Sequence, residues 1–156
     1  MKPVKLAFVA LEPKDGQFRA SFTMEGLLAV EDDPEMLLDN TVHIYEEAIQ
    51  RMLALLAEMC TSRLLHKPIP ARKMWQLGDA MFKLKEALAL QSVQLDGIYA
   101  HLSRDLNVKR KWLEKAVIFR RHVPSEELIP ESLNWGRCEK GTRRVAERLR
   151  VGLLPD

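Results

Sequence analysis

Cysteine is scarce in this chain of 156 residues, and the two present, Cys60 and Cys138, belong to no CxxC or Cys/His ligand spacing. A disulfide framework and a structural zinc site therefore lack their sequence signatures, and two buried or neutral thiols are expected. His43, His66, His101 and His122 are scattered and form no HExxH, so no metal is expected. There is no GxxxxGK[ST] and no GxGxxG, which removes the glycine loops that cradle nucleotide phosphates. The paired acids Asp32-Asp33 and Glu46-Glu47 have no lysine in the ExK spacing that metal-dependent nuclease chemistry uses, and Ser21, Ser62, Ser92, Ser103, Ser125 and Ser132 have no sequence-level base. The chain is expected to be non-enzymatic and to need no cofactor. No run of 18 or more uncharged apolar residues is present, so no membrane span is expected. Glu12, Pro13 and Lys14 stand where a secretory signal would carry small residues, and the N-terminus reads as a mature, cytoplasmic one.

What is present is an apolar fraction of 47% with a charged fraction of 29%, the balance of a globular domain. The net charge of +2 is unevenly spread. Residues 1–60 hold five Lys/Arg against eleven Asp/Glu, a net of −6, whereas residues 101–150 hold thirteen against seven, a net of +6. A basic half of this kind is drawn to polyanions, although thirteen cations can also simply solvate helices.

Along the chain, "VKLAFVAL" and "FRASFTM" are β-prone runs around an Asp15-Gly16 turn signal, which predicts a hairpin; Gly26–Val30 offers a third short strand. Asp33-Pro34-Glu35 reads as a helix start, with Asp33 as cap and Pro34 at the first helical position. From there Leu38, Val42, Tyr45, Ile49, Met52, Leu56 and Met59 recur at spacings of 4, 3, 4, 3, 4 and 3, one continuous apolar stripe broadened by Leu53 and Leu55. Such a stripe serves either as core or as the seam of a homodimer through the helix Leu38–Met59. Pro68 and Pro70 predict a break and an extended connector. A second helix is expected from Ala71, with Met74, Trp75, Leu77, Gly78, Met81, Phe82, Leu84 and Leu88 inward and Gly78 marking a close helix crossing. Asp96-Gly97 then offers a turn.

The segment "LSRDLNVKRKWLEK", Leu102 to Lys115, fits a helix-turn-helix position by position. Leu102 and Leu106 are inward, Ser103 is small at the crossing, and Asn107 suits the left-handed turn. Val108, Leu113 and Ala116 fill the remaining inward places. Lys109, Arg110, Lys111, Glu114, Lys115 and Ile118 are then left outward on the leading turns of the second helix, where a recognition helix meets DNA. Arg110 is the expected base contact, through its planar fork, while Lys109, Lys111 and Lys115 suit phosphates. Glu114 either repels phosphate or accepts from cytosine. Arg120 and Arg121 close the same helix, and Arg137, Lys140, Arg143, Arg144, Arg148 and Arg150 cluster further on. Thr142 is expected to cap a last helix whose Val145, Ala146 and Leu149 face inward. Trp75 and Trp112 read as core, and Trp135, in a loop, as the tryptophan available for base stacking.

The residues Trp75 and Gly78, then Leu102, Ser103, Leu106 and Leu113, and finally Phe119 and Pro124 place a Trp-x-x-Gly helix ahead of Leu-Ser-x-x-Leu and a Phe-x-x-x-x-Pro ending. In this the segment from Ile49 to Pro124, about half the chain, resembles the helical N-terminal domain of a bacterial family whose C-terminal half is a nuclease of the PD-(D/E)xK type. The resemblance implies a helix-turn-helix module that brings nucleic acid to, or assembles with, a nuclease or mobile-element machine. The chain departs from that family by its N-terminal hairpin and by ending at Asp156, too soon for the nuclease half, so nuclease activity is not expected.

The expected fold is thus α+β, mainly α, with an N-terminal β-hairpin of two or three strands packed on a helical bundle containing a helix-turn-helix. Residues 1–66 would form the hairpin and long helix, and residues 67–156 the helix-turn-helix region, within one compact unit. The expected function is binding of double-stranded DNA, as a regulator or as the DNA-binding subunit of a larger nucleic-acid-processing complex, by way of Lys109, Arg110, Lys111, Lys115, Arg120, Arg121, Arg137, Lys140, Arg143 and Arg144. The alternative is a protein-interaction subunit whose acidic N-terminal half docks a partner and whose basic half is incidental.

Overall fold

A computed structural model describes the backbone over residues 4–14, 17–24, 34–90 and 93–155, and side chains over residue 36 and residues 39–62, 65–90 and 97–155. The architecture is mainly helical. Its helices are α1 (Pro34–Leu64), α2 (Ala71–Leu90), α3 (Ile98–Leu106), α4 (Arg110–His122), the short α5 (Trp135–Cys138) and α6 (Thr142–Arg150). Among the described residues no helix is long and apolar enough to cross a membrane. The backbone also traces β1 (Val4–Lys14), β2 (Gln17–Met24) and β3 (Val93–Asp96) in the order β2-β1-β3. β1 runs antiparallel to β2, from Leu6 opposite Met24 to Lys14 opposite Gln17, and parallel to β3, with Val4 opposite Val93. The Asp15-Gly16 turn, the strand expected at Gly26–Val30 and the Asp33 cap lie outside the described residues.

The chain divides into two compact units along lines that differ from the expected boundary at residue 66. The first comprises Met1–Arg51 and Lys83–Asn107, the second Met52–Phe82 and Val108–Asp156. Both α1 and α2 run through the two units, the division falling after Arg51 and after Phe82.

Helix α1 begins at Pro34, whose missing N–H is harmless at the first helical position. Of its apolar stripe, Tyr45, Ile49, Met52 and Met59 are buried within the chain itself. Toward its end Thr61 Oγ1 donates to Ala57 O at 3.0 Å and Ser62 Oγ to Glu58 O at 3.2 Å, side chains that compete with the helical ladder. The helix stops before the prolines: His66 takes a left-handed conformation at φ 57, and Lys67 N–H closes on Ser62 O at 2.8 Å. Pro70 then pairs with Asn134 in an isolated antiparallel bridge, giving the extended connector a partner.

In the first unit, Leu84, Leu88, Leu102 and Leu106 are buried with Thr41, Tyr45 and Ile49. The Tyr45 hydroxyl donates to Asp105 Oδ2 at 3.1 Å, and Arg104 Nε lies 3.3 Å from Asp105 Oδ1. A carboxylate placed in the last turn of α3, where the helix dipole disfavours it, is thereby held by two donors. Burial, reinforced by the adjacent Asp105 carboxylate, pushes the Tyr45 phenol upward from its usual pKa. Gly97 and Asn107, which bracket α3, both adopt left-handed backbone, at φ 64 and φ 55. The Asn107 N–H reaches Arg104 O and Ser103 O, so the turn expected there is formed.

In the second unit, α2 and α4 cross at Gly78. A Cβ built there would fall 2.2 Å from the Ala116 carbonyl oxygen, so only glycine permits this approach. Trp75 Nε1 donates to Val123 O at 2.8 Å and Arg72 Nε to Ile129 O at 2.7 Å, tying the segment after α4 back onto α2. Phe82, expected inward, is 44% exposed.

Candidate nucleic-acid interface

All ten cations expected to face DNA belong to the second unit. Lys109 is the N-cap of α4, with an extended backbone and no side-chain cap bond, and the first turn of α4 carries no acid. Lys109, Arg110 and Lys111 are exposed there, so three cations surround the end of a helix whose free N–H groups already carry partial positive charge. Like charge at that end costs a few tenths to about 1 kcal/mol per residue, a cost that an anion relieves. The back of the helix is fixed by Leu113, Ala116 and Phe119, all fully buried, as expected for the inward positions. Lys115 and Ile118, expected outward, are half-buried. Arg110 Nε bonds Glu114 Oε1 at 3.1 Å, one helical turn on.

Helix α6 packs against α4. Val145, Ala146 and Leu149 are buried, leaving Arg143, Arg144 and Arg150 exposed, and its first turn likewise holds no acid. Thr142 does not cap α6: its hydroxyl donates to Cys138 O at 3.0 Å and Glu139 O at 3.3 Å, because the preceding helical turns offer it carbonyls. The N-cap is Gly141, without a side-chain bond. Arg137 and Lys140 are exposed on the short turns before α6, and Arg143 Nε lies 3.4 Å from Glu147 Oε1. Arg148 is tied at Nε to Leu154 O at 2.9 Å.

Two sequence-stated roles are redrawn by packing. Arg120, expected to face DNA, turns inward: Nε donates to Asp79 Oδ1 at 2.9 Å, with the two side chains only 18% and 7% exposed. Its guanidinium also lies 4.9 Å from the Trp75 ring centroid and 4.6 Å from that of Phe82. The exposed Phe82 thus presents one face of its ring to this cation. Arg121, the next residue, is exposed. Trp135, expected in an accessible loop, is 3% exposed and sits edge-on to Phe119 at 5.4 Å, so its ring is unavailable to a base. Its Nε1 is the buried side-chain nitrogen or oxygen without a hydrogen-bond partner among the described residues. Trp112, expected in the core, is half-buried.

The inward Arg120 was not legible from the sequence, because Asp79 is 41 positions away and its mid-helix carboxylate has no motif around it. The two helices of the expected helix-turn-helix fall in different units, α3 in the first and α4 in the second, with the boundary at the turn. Cys60 is exposed and Cys138 buried, and burial pushes the Cys138 thiol up to about 11, with Arg137 pulling the other way. No family model matches this chain, and no curated protein or solved structure matches it either.

Proposed function

We propose that the chain is a non-enzymatic DNA-binding protein of bacterial type, acting in the cytoplasm with α4 as reader and α6 as a phosphate clamp. One observation carries this reading: Lys109, Arg110 and Lys111 stand exposed around an uncapped helix N-terminus with no acid in its first turn. A folded chain tolerates such an arrangement at a cost, and a polyanion returns it. Helix α6, packed against α4, repeats the arrangement with Arg143 and Arg144. In this reading α3, Asn107 and α4 work as a helix-turn-helix, and an N-terminal hairpin packs on the helical bundle. The module serves as a regulator or as the DNA-binding subunit of a larger nucleic-acid-processing complex. A homodimer would have to form outside the stripe residues Tyr45, Ile49, Met52 and Met59, which the chain already buries.

The test is fluorescence anisotropy of the wild-type chain and of the double variant Arg110→Ala, Lys111→Ala on duplex DNA at several salt concentrations. The variant should bind more weakly and with a salt slope shallower by about one unit per lost phosphate contact. Unchanged affinity rejects α4 as the binding element.

A second reading is favoured by the division of α3 and α4 between units and by the exposed Val151, Leu153 and Leu154. In it the chain is a protein-interaction subunit without direct DNA contact. Light scattering distinguishes the two, since a mass that responds to a partner protein and never to duplex supports the second.

A further inference from the structure

Resting on the reading of α4 as the DNA-facing helix, we propose that Glu114 is a positioning residue that sets guanine specificity through Arg110. The bond between them runs from Arg110 Nε to Glu114 Oε1 at 3.1 Å. It occupies the inner edge of the guanidinium and leaves the two terminal Nη groups, the fork that pairs with guanine O6 and N7. Arg110 is 61% exposed and Glu114 45%, so the pair sits where a groove can reach it.

Helix stability gains little from this pair. An acid preceding a base by four residues is the more favourable order, whereas here the cation precedes, at the positive end of the dipole. What the contact does accomplish is to restrict an otherwise mobile arginine before DNA arrives, lowering the ordering cost of a bidentate base contact. The carboxylate beside it repels phosphate, so an Arg110 that lands on the backbone instead of a guanine gains less. Both effects widen the gap between correct and incorrect duplexes, which is the quantity that matters for a reader.

Helix α6 supplies an internal control. Arg143 and Glu147 form the same contact at 3.4 Å, in the same order, on a helix assigned only to phosphates. There the carboxylate should affect all duplexes alike.

The experiment uses the full chain. A duplex selected by the wild type from a randomised library is compared by anisotropy with duplexes in which each guanine is changed to adenine in turn. Glu114→Ala should lower the guanine-to-adenine discrimination by about twofold, the range of an exposed ion pair one helical turn apart. Glu114→Gln, which keeps an acceptor for Nε but removes the charge, should raise affinity for every duplex and lower the discrimination less than Glu114→Ala does. Glu147→Ala should raise affinity for every duplex without altering the ratio. Melting by circular dichroism checks that each variant folds. A ratio unchanged in Glu114→Ala, in a chain that binds duplex, overturns the role of Glu114 alone. Absence of any duplex binding by the folded wild type overturns the reading beneath it and this inference together.

Discussion

Gly78 and Ala116 hold α2 and α4 at backbone contact: a methyl group on Gly78 would stand 2.2 Å from the Ala116 carbonyl oxygen and 2.8 Å from Arg120 Cβ. Two of the three nearest atoms belong to the backbone of α4, so the clash cannot be relieved by rotating a side chain. Gly78→Ala should gain up to about 1 kcal/mol of helix propensity and lose about 1–3 kcal/mol to overpacking, a net destabilisation of up to about 2 kcal/mol. Urea denaturation measures it, and a variant as stable as the wild type would contradict the crossing.

Beside that crossing, Arg120 and Asp79 are a charge pair shielded from water by Trp75 and Phe82. Removing one partner takes away the opposite charge that faces the other, largely buried side chain. Arg120→Ala should cost about 3–5 kcal/mol, and the double variant Arg120→Ala, Asp79→Ala less than the sum of the single losses. Arg120→Lys should recover only part, because a lysine lacks the planar face that meets the two rings. Chemical denaturation of all four variants decides the coupling. The salt slope of duplex binding by folded Arg120→Lys should match that of the wild type, since Arg120 is turned away from the anion.

Lys109→Asp places a capping carboxylate at an N-cap that has no side-chain bond and a first turn without acid. Fold stability should rise by about 1 kcal/mol. Duplex affinity should fall at the same time, because a cation at the expected phosphate contact becomes an anion. Thermal melting and anisotropy on the same preparation separate the readings. A protein-interaction subunit would show the gain in stability without any change in duplex binding.

Cys138 makes stability depend on alkaline pH. Its thiol is raised from 9.0 to about 11 by burial, so the folded chain keeps a proton that the unfolded chain gives up. Stability is therefore fully present below pH 9.0 and falls as pH rises toward about 11, by on the order of 2 kcal/mol. Tyr45, pushed upward by burial and by Asp105, adds to the fall above its ordinary value of 10.0. Urea midpoints across that range should fall less steeply in Cys138→Ala. Equal slopes in the variant and the wild type would contradict the burial of the thiol.

The helical parts of this fold were readable because local chemistry settles them. Pro34 starts α1 whatever surrounds it, Asn107 accepts a left-handed backbone that few residues tolerate, and a period near 3.6 marked Tyr45, Ile49, Leu113, Ala116, Val145 and Leu149 as inward. Pro68 and Pro70 announced the break and the extended connector after α1, while the left-handed His66 and the Lys67 N–H bond to Ser62 O that close the helix carry no such local signal. Thr142 was misjudged as a cap because a hydroxyl that can accept from an amide can equally donate to a preceding carbonyl.

The sequence by itself determined where helices start and turn, which side of each is apolar, and that cations gather at the leading ends of α4 and α6, because these follow from neighbours within a few residues. Tertiary structure alone decided that Arg120 turns inward to Asp79, that Trp135 is buried on Phe119, that Phe82 covers a cation, and that α1 and α2 each serve two units. Those outcomes depend on partners tens of positions away. Burial of a charge or an indole becomes favourable only when such a partner is present to replace water, and no local pattern encodes where that partner will be.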